Sequence, residues 1–254
     1  MKIGYPNNPR HELEKEIAWA KEHDFDYVEL YIEEGKTSPS SVSVASVSAL
    51  LHEFPCMGSG HIPWYLPFGS PVKSVRKAAV SEAERYFEVF AGVGINAAAV
   101  HAHWCGGGFS AKEMISFQNE SLHSLMDMAA GYGIRILFEL TDRKEDSPEN
   151  IRQILASCPS AGFLLDTGHA NVCGRKPSDY LKTLADRISH VHLHDNFRDM
   201  DLHLPVGCGN IDWEHFFKHL RSFYDGTVTL EIFSKYREYI LFSREKVLKY
   251  WNQT

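Results

Sequence analysis

The sequence lacks several features that would place it in a specialised class of protein. It contains only five cysteines, an odd number, and no two of them have Cys-x-x-Cys spacing. This usage predicts reduced thiols and argues against a zinc ribbon. No apolar run approaches the ~20 residues that cross a bilayer, and the N-terminal stretch has no apolar signal-peptide core. We therefore expect a cytoplasmic protein without a membrane segment.

A strong excess of basic residues is also absent. The 254 residues carry a net charge of −7, so the chain has no general attraction for nucleic acid. Hydrophobic content of 44% and charged content of 23% are ordinary for a globular protein that buries a full core. No linker or compositional break interrupts the sequence. We expect a single domain over residues 1–254.

Histidine, by contrast, is concentrated in one stretch, residues 188–213, which holds four histidines and four aspartates. Ile188 to His194 alternates apolar and imidazole side chains, and this period-2 pattern predicts a strand with three imidazoles on one face. Neutral imidazoles beside carboxylates bind divalent metals of the zinc or manganese type. The alternative is an edge strand whose imidazoles are merely hydrogen-bonded. The number of histidines favours a metal site.

Short apolar runs alternate with helix-like segments along the whole chain. Eight strands are predicted, at Lys2–Tyr5, Tyr27–Ile32, Gly58–Ile62, Ala97–Ala102, Arg135–Leu140, Gly162–Asp166, Ile188–His194 and Thr227–Phe233. The segments between them predict helices, including Ser38–His52, Ser70–Val93, Ala111–Gly131 and Ser178–Arg187. Eight such alternations in about 250 residues predict an α/β fold, a single (β/α)8 TIM barrel. A doubly wound open sheet is the alternative.

Polar residues stand at or near the C-terminal ends of six different predicted strands: His61, His101, Glu139, Asp166, His192 and Glu231. In a closed barrel these ends converge on one mouth, where catalytic residues lie. In an open sheet, six strands could not all point at one site. The positions of the polar residues therefore favour the barrel.

Two of these residues are lone carboxylates in apolar strands, Glu139 in RILFEL and Glu231 in TVTLEIF. Burial of an unpaired carboxylate is costly, and no lysine or arginine stands at an equivalent strand end, so a metal is the better partner. Asp166 and His169 follow a buried strand in D-T-G-H, a spacing that lets both reach one site. The alternative for His169 is a helix-capping or hydrogen-bonded loop histidine.

Two further features are expected to be structural. Glu29, at the end of the second strand, should pair with a loop lysine rather than bind substrate. Trp64, Tyr65, Trp104 and Phe109 follow the third and fourth strands. For these aromatic residues, packing is favoured over an apolar wall against a sugar.

This set of strand-end residues resembles the xylose isomerase-like TIM-barrel superfamily, which includes sugar phosphate isomerases and epimerases and the endonuclease IV-type AP endonucleases. The resemblance covers essentially the whole chain. It implies that one divalent cation (Zn, Mn or Mg) is bound by Glu139, Asp166, His192 and Glu231. The endonuclease branch adds His61, His101, His169, Asp201 and His203, which completes a three-metal pattern. His194 and His103 remain alternatives to His192 and His101.

The segments H-L-H-D-N and G-x-G-N-I-D-W resemble the sugar enzymes more than the DNA enzymes. The resemblance therefore implies a metal-dependent isomerase or epimerase of carbohydrate metabolism. Glu139 and Glu231 would transfer a proton through an enediolate, and His169 would contact the sugar substrate. Arg198, shortly after the strand-seven histidine, is expected to contact a substrate oxygen or phosphate, and the alternative is a solvated loop arginine. The alternatives are a zinc phosphodiesterase of the AP endonuclease type and an idle barrel that binds a sugar or metal. Few cations in the mouth loops disfavour nucleic acid, whereas an oligomer is compatible with the sequence.

Overall fold

The computed structural model describes residues 1–253, in which eight parallel strands form a closed barrel in sequential order. The strands are β1 (Lys2–Pro6), β2 (Tyr27–Tyr31), β3 (Gly60–His61), β4 (Ala97–His101), β5 (Arg135–Glu139), β6 (Gly162–Asp166), β7 (Ile188–Leu193) and β8 (Thr227–Leu230). Because β1 pairs with both β2 and β8, the sheet has no free edge. The predicted TIM barrel is confirmed, and the open sheet is excluded.

Helices follow the strands and cover the outside of the barrel. They are α1 (Leu13–Glu22), α2 (Val44–Leu51), α3 (Lys73–Gly92), α4 (Ala111–Gly131), α5 (Pro148–Ser157), α6 (Thr167–Val172), α7 (Pro177–Leu184), α8 (Trp213–Leu220) and α9 (Glu238–Gln253). Within residues 1–253, no helix combines the length and apolar character that a membrane span requires.

The ends of several elements follow from local chemistry. Ser110 and Glu113 form a capping box at the start of α4, and the Ser147 hydroxyl accepts the Asn150 amide at the start of α5. The predictions omit α6, in which the His169 amide donates to the Asp166 carboxylate at the N-terminus. A residue expected only as a ligand is therefore also a helix cap.

Several predicted elements are longer than the observed ones. Helix α2 begins at Val44 rather than Ser38, and β3 contains only Gly60 and His61. Strand β8 ends at Leu230, so Glu231 directly follows the strand instead of lying within it.

The interior of the barrel is divided into an apolar part and a polar part. Ala99, Leu137 and Leu164 form a small buried cluster that is separate from the main core. Each lies two positions before a polar residue at the end of β4, β5 or β6, and so faces the same side of its strand. These apolar side chains thus form a floor beneath the polar ends of three neighbouring strands.

Candidate metal centre

Four predicted ligands come together at the C-terminal mouth of the barrel. Glu139 and Asp166 end β5 and β6, His192 lies in β7, and Glu231 follows β8. Each offers one ligand atom, and these atoms all lie within 4.8 Å of one another. All four side chains are buried. We call these residues the quartet.

Among residues 1–253, three atoms of the quartet face one another without a hydrogen-bond partner: Glu139 Oε1, His192 Nδ1 and Glu231 Oε2. His192 Nδ1 lies 3.1 Å from Glu139 Oε1 and 3.3 Å from Glu231 Oε2. Within residues 1–253, Glu139 and Glu231 form ion pairs with histidines and not with lysine or arginine. Buried oxygens and an imidazole nitrogen that converge in this way fit a divalent cation.

The electrostatics of the quartet agree with its geometry. Burial by itself raises the pKa of Glu139, but His101 and His192 hold that pKa well below its ordinary value. Burial lowers the pKa of His192, but Glu29 and Glu139 raise it well above the usual range. The carboxylates are thus held ionised and the imidazole attracts positive charge. A cation or protons must supply that charge.

A second group shares Glu139 with the quartet and includes His61 and His101. Glu139 Oε2 lies 3.1 Å from His61 Nε2 and 2.9 Å from His101 Nε2. Its other oxygen faces His192, so the carboxylate bridges the two groups. His103 instead donates its backbone N–H to Gln118, and burial lowers its pKa. The geometry therefore favours His101 over His103.

A third group contains His169, His194, Asp201 and His203. Asp201 Oδ2 lies 3.3 Å from His169 Nε2 and 2.9 Å from His203 Nε2. Burial acts to raise the pKa of Asp201, but hydrogen bonds from these two histidines hold it far below its ordinary value. Asp201 and His203 of the D-x-H segment therefore lie in one group, and their role as metal ligands stays a prediction.

His194 was considered only as an alternative to His192, yet it joins the third group. Its Nε2 lies 2.9 Å from Asp166 Oδ1 and 3.8 Å from Asp201 Oδ1, so it stands between the quartet and the third group. A Cβ at Gly168 would lie 1.9 Å from the His194 ring. The glycine of D-T-G-H is therefore required for this histidine to fit.

The structure corrects the expectation for Glu29. This residue is completely buried, and its Oε2 lies 3.2 Å from His190 Nε2 and 3.0 Å from His192 Nε2. The predicted pairing with a loop lysine is wrong. The signal was present in the sequence, because YVELYI holds a lone carboxylate in an apolar strand, as RILFEL does.

Sequence reasoning also missed Tyr31, the last residue of β2. Its hydroxyl donates to Glu231 Oε1 at 2.8 Å, and its ring stacks on His61 with centroids 4.2 Å apart. Burial and the Glu231 charge raise the pKa of Tyr31 well above its ordinary value, so the phenol remains a donor. A tyrosine in an apolar strand gives no sign of such a role before its partner is known.

Above these groups lies a cavity of about 980 Å³. Its lining includes Trp64, Tyr65 and Trp104, of which Trp64 is 64% exposed. Phe109 packs on Phe117 instead, with ring centroids 5.5 Å apart. Metal-group residues in the lining are His61, His101, His169, Asp201, His203 and Glu231. Several candidate ligands can therefore reach a small molecule in the cavity.

Arg198 is placed beside the cavity rather than in its wall. Its Nε donates to Asn171 Oδ1 at 3.0 Å, and its backbone has a φ of 75°. Among the described residues, the cations that line the cavity are Arg143, Lys235 and Arg237. A substrate contact for Arg198 stays a prediction.

The chain is similar in structure to several sugar epimerases. A D-tagatose 3-epimerase-like protein superposes with a TM-score of 0.87 and 24% identity, over 100% of this chain and 99% of the other. A D-allulose 3-epimerase from Methylomonas sp., solved with D-allulose, has a TM-score of 0.72 and 21% identity, and the match covers 90% of this chain and 83% of the other. The TTHB071 protein from Thermus thermophilus, soaked with ZnCl2, has a TM-score of 0.76 and 23% identity, over 98% and 99%. At these identities the likeness shows a shared fold.

Curated relatives are two uncharacterized proteins of Methanocaldococcus jannaschii. MJ1311 is 31% identical over 129 residues, which are 47% of this chain and 44% of the relative. MJ1614 is 24% identical over 152 residues, 58% and 59% of the two chains. The matches thus span about half the length of each relative. A family model described as xylose isomerase-like TIM barrel matches residues 17–249, and the chain belongs to that family.

Proposed function

We propose that the protein is a divalent-metal-dependent sugar or sugar phosphate isomerase or epimerase. The observation that carries the proposal is the convergence of Glu139, Asp166, His192 and Glu231 at the mouth of a barrel, where unpartnered atoms of Glu139, His192 and Glu231 face one another. Structural neighbours that are named as sugar epimerases support the substrate class. The substrate is a sugar with adjacent carbonyl and hydroxyl groups. The reaction would then belong to carbohydrate metabolism in the cytoplasm.

The two glutamates are held in matching ways. Glu139 uses Oε2 toward His61 and His101 and keeps Oε1 unpartnered. Glu231 uses Oε1 to accept the Tyr31 hydroxyl and keeps Oε2 unpartnered. Each carboxylate is therefore fixed by one oxygen and free to act through the other.

This arrangement suits proton transfer on either side of one carbon. When bound to the quartet, Zn²⁺, Mn²⁺ or Mg²⁺ would chelate the carbonyl and hydroxyl oxygens and acidify the adjacent C–H bond. One of Glu139 and Glu231 removes that proton, and the other returns a proton. Return to the opposite face of the same carbon gives the epimer, and return to the neighbouring carbon gives the isomer.

The rest of the cavity offers contacts for a sugar. The exposed rings of Trp64 and Tyr65 can cover the apolar face of a sugar, and His169 presents an imidazole to its hydroxyl groups. Arg143 and Lys235 are cations of the lining and would contact a phosphate group if the substrate carries one.

Solvent deuterium tests the proposal. A panel of ketoses and ketose phosphates is incubated with the metal-loaded protein in D2O, and the expected result is deuterium on the carbon beside the carbonyl. Glu139→Gln and Glu231→Gln should each lower turnover by about 10²–10⁴-fold, the usual contribution of general acid–base catalysis. Metal content is measured for both variants, so that a lost proton carrier is separated from a lost cation.

A second candidate is a zinc phosphodiesterase of the AP endonuclease type, because three potential metal groups adjoin at this mouth. The charge distribution argues against DNA as a substrate. Lys73 and Arg76 follow β3 but pair with Glu120, and Arg175 bonds the Lys144 carbonyl, so these cations are already engaged. Cleavage of abasic-site DNA at low enzyme concentration, with no deuterium exchange across the ketose panel, would overturn the isomerase proposal.

A further inference from the structure

We infer that Glu29 is a positioning residue that orients His192 for metal binding, an inference that rests on the metal centre of the proposed function. Glu29 is completely buried in β2, on the opposite side of the His192 ring from the quartet carboxylates. Its Oε2 lies 3.0 Å from His192 Nε2, whereas His192 Nδ1 faces Glu139 and Glu231. One imidazole thus joins two separate sets of acids through its two nitrogens.

The consequence is a choice of tautomer. A neutral imidazole carries its proton on one nitrogen and a lone pair on the other. With a cation at the quartet, Glu29 would accept the proton carried by Nε2, and the lone pair of Nδ1 would face the quartet. A carboxylate behind a ligating histidine fixes the ring and makes it a stronger ligand.

The Glu29 carboxylate is itself positioned by His190 and by polar residues that contact His190. His190 Nε2 lies 3.2 Å from the same Glu29 oxygen and 3.0 Å from Thr229 Oγ1, and His190 Nδ1 lies 2.7 Å from Thr227 Oγ1. Tyr27 bonds Thr229 in turn, at 3.0 Å. This buried chain of polar groups leaves the carboxylate little freedom to rotate away from His192.

A purely structural role makes a different prediction. If Glu29 only satisfied His190 inside the barrel, its loss would lower thermal stability and leave metal affinity unchanged. The Zn²⁺ affinity, measured by titration of the metal-free protein against a competing chelator, therefore separates the two roles without any activity assay.

Glu29→Ala is expected to weaken Zn²⁺ binding by about 10–100-fold, the usual cost of removing such a partner. Glu29→Gln should weaken binding less, because its amide oxygen still accepts the His192 N–H. Asp146→Asn is the matched control, since Asp146 is equally buried but accepts from Trp104 and Thr141 instead of a candidate ligand. Its Zn²⁺ affinity should equal that of the wild type.

Three results would overturn the inference. The first is wild-type affinity in both Glu29 variants, and the second is an equal loss in Asp146→Asn. The third is a bound-metal count one lower in Glu29→Gln with the affinity of the remaining ions unchanged, because Glu29, His190 and His192 would then hold an ion of their own. Absence of Zn²⁺ binding by the wild type would instead refute the metal centre of the proposed function.

Discussion

Glu16 and Glu231 are buried carboxylates that line the same cavity, and their partners differ. Glu16 of α1 is 1% exposed, and it accepts the Tyr5 hydroxyl and the Asn8 amide while it pairs with Arg237. Its charge is thus balanced by a guanidinium of the same chain. This carboxylate ties the β1–α1 segment to the segment that follows β8.

Glu139 and Glu231 are as deeply buried, but they face imidazoles and each keeps one oxygen without a donor. The comparison shows that burial alone does not distinguish a structural carboxylate from a metal ligand. The distinction lies in the partners. Hydrogen-bond donors and an arginine of the same chain balance the charge of Glu16. The quartet consists of converging acceptors, so a bound cation must balance its charge.

The largest expected effect is on the structural side of this comparison. Arg237→Met keeps the aliphatic stem that lies over Trp19 but leaves Glu16 as a buried charge without its guanidinium. We expect the free energy of unfolding to fall by about 3 kcal/mol, the lower end for breaking a buried pair because Arg237 is partly exposed. Urea denaturation measures the change with EDTA present and with saturating Zn²⁺. A loss that Zn²⁺ repaired would assign Glu16 to the metal centre instead.

The next effect is on the metal side. Zn²⁺ at 100 times its Kd should raise the free energy of unfolding of the wild type by about 2.7 kcal/mol. Glu231→Gln should show much less of this increase, because it loses an anionic ligand of the quartet, whereas Arg237→Met should show all of it. The same denaturation series provides both values. A full Zn²⁺ increase in Glu231→Gln would remove Glu231 from the ligand set.

Asp146 is an intermediate case, a buried carboxylate whose hydrogen-bond donors are all neutral, and its expected effect within any one pH unit is the smallest of the three. Trp104 Nε1 donates to one oxygen, and the Thr141 amide and hydroxyl donate to the other. Burial raises the pKa of Asp146 from 3.8 to about 7, although these bonds act to lower it. Three neutral donors thus do not fully compensate for the burial of this carboxylate.

A carboxyl group whose pKa is raised in the folded state stabilises the protein at pH values below the pKa of the unfolded chain. This stabilisation is lost as the pH rises to the pKa of the folded protein. Between about pH 4 and pH 7, the wild type should therefore lose stability relative to Asp146→Asn, by up to about 1.4 kcal/mol per pH unit. Thermal denaturation of both proteins across this range gives the difference. A difference that stays constant with pH would show that Asp146 remains ionised throughout.

Much of the barrel could be predicted from the sequence because its strands have local signals. Apolar runs marked most of the strands, and a polar residue at six strand ends indicated one shared mouth. Element ends were less predictable. Glu231 was expected within a strand that in fact stops at Leu230, because a continuous apolar run does not show where strand pairing ceases.

The errors at the site concern residues whose partners are distant in the chain. Glu29 contacts His190 and His192, 161 and 163 residues away. The lone carboxylate in YVELYI therefore indicates that a partner is needed, but not whether that partner is an imidazole or a lysine. His194 shares a strand face with His192, yet it lies nearer Asp166 and the third group. The period-2 pattern of a strand assigns a residue to one face of the sheet, but it does not show which side chains of other strands that residue contacts.

The sequence by itself determined which side chains stand at the ends of the strands, because period-2 patterns and apolar runs are local properties of the chain. Only the tertiary structure decided how those side chains are grouped. Closure of the barrel through the β1–β8 pairing brings Arg237 to Glu16 across 221 residues, and it brings Glu231 to Tyr31. Whether a buried carboxylate meets a guanidinium or an imidazole depends on that closure, since strand register and barrel curvature set distances that no local pattern encodes.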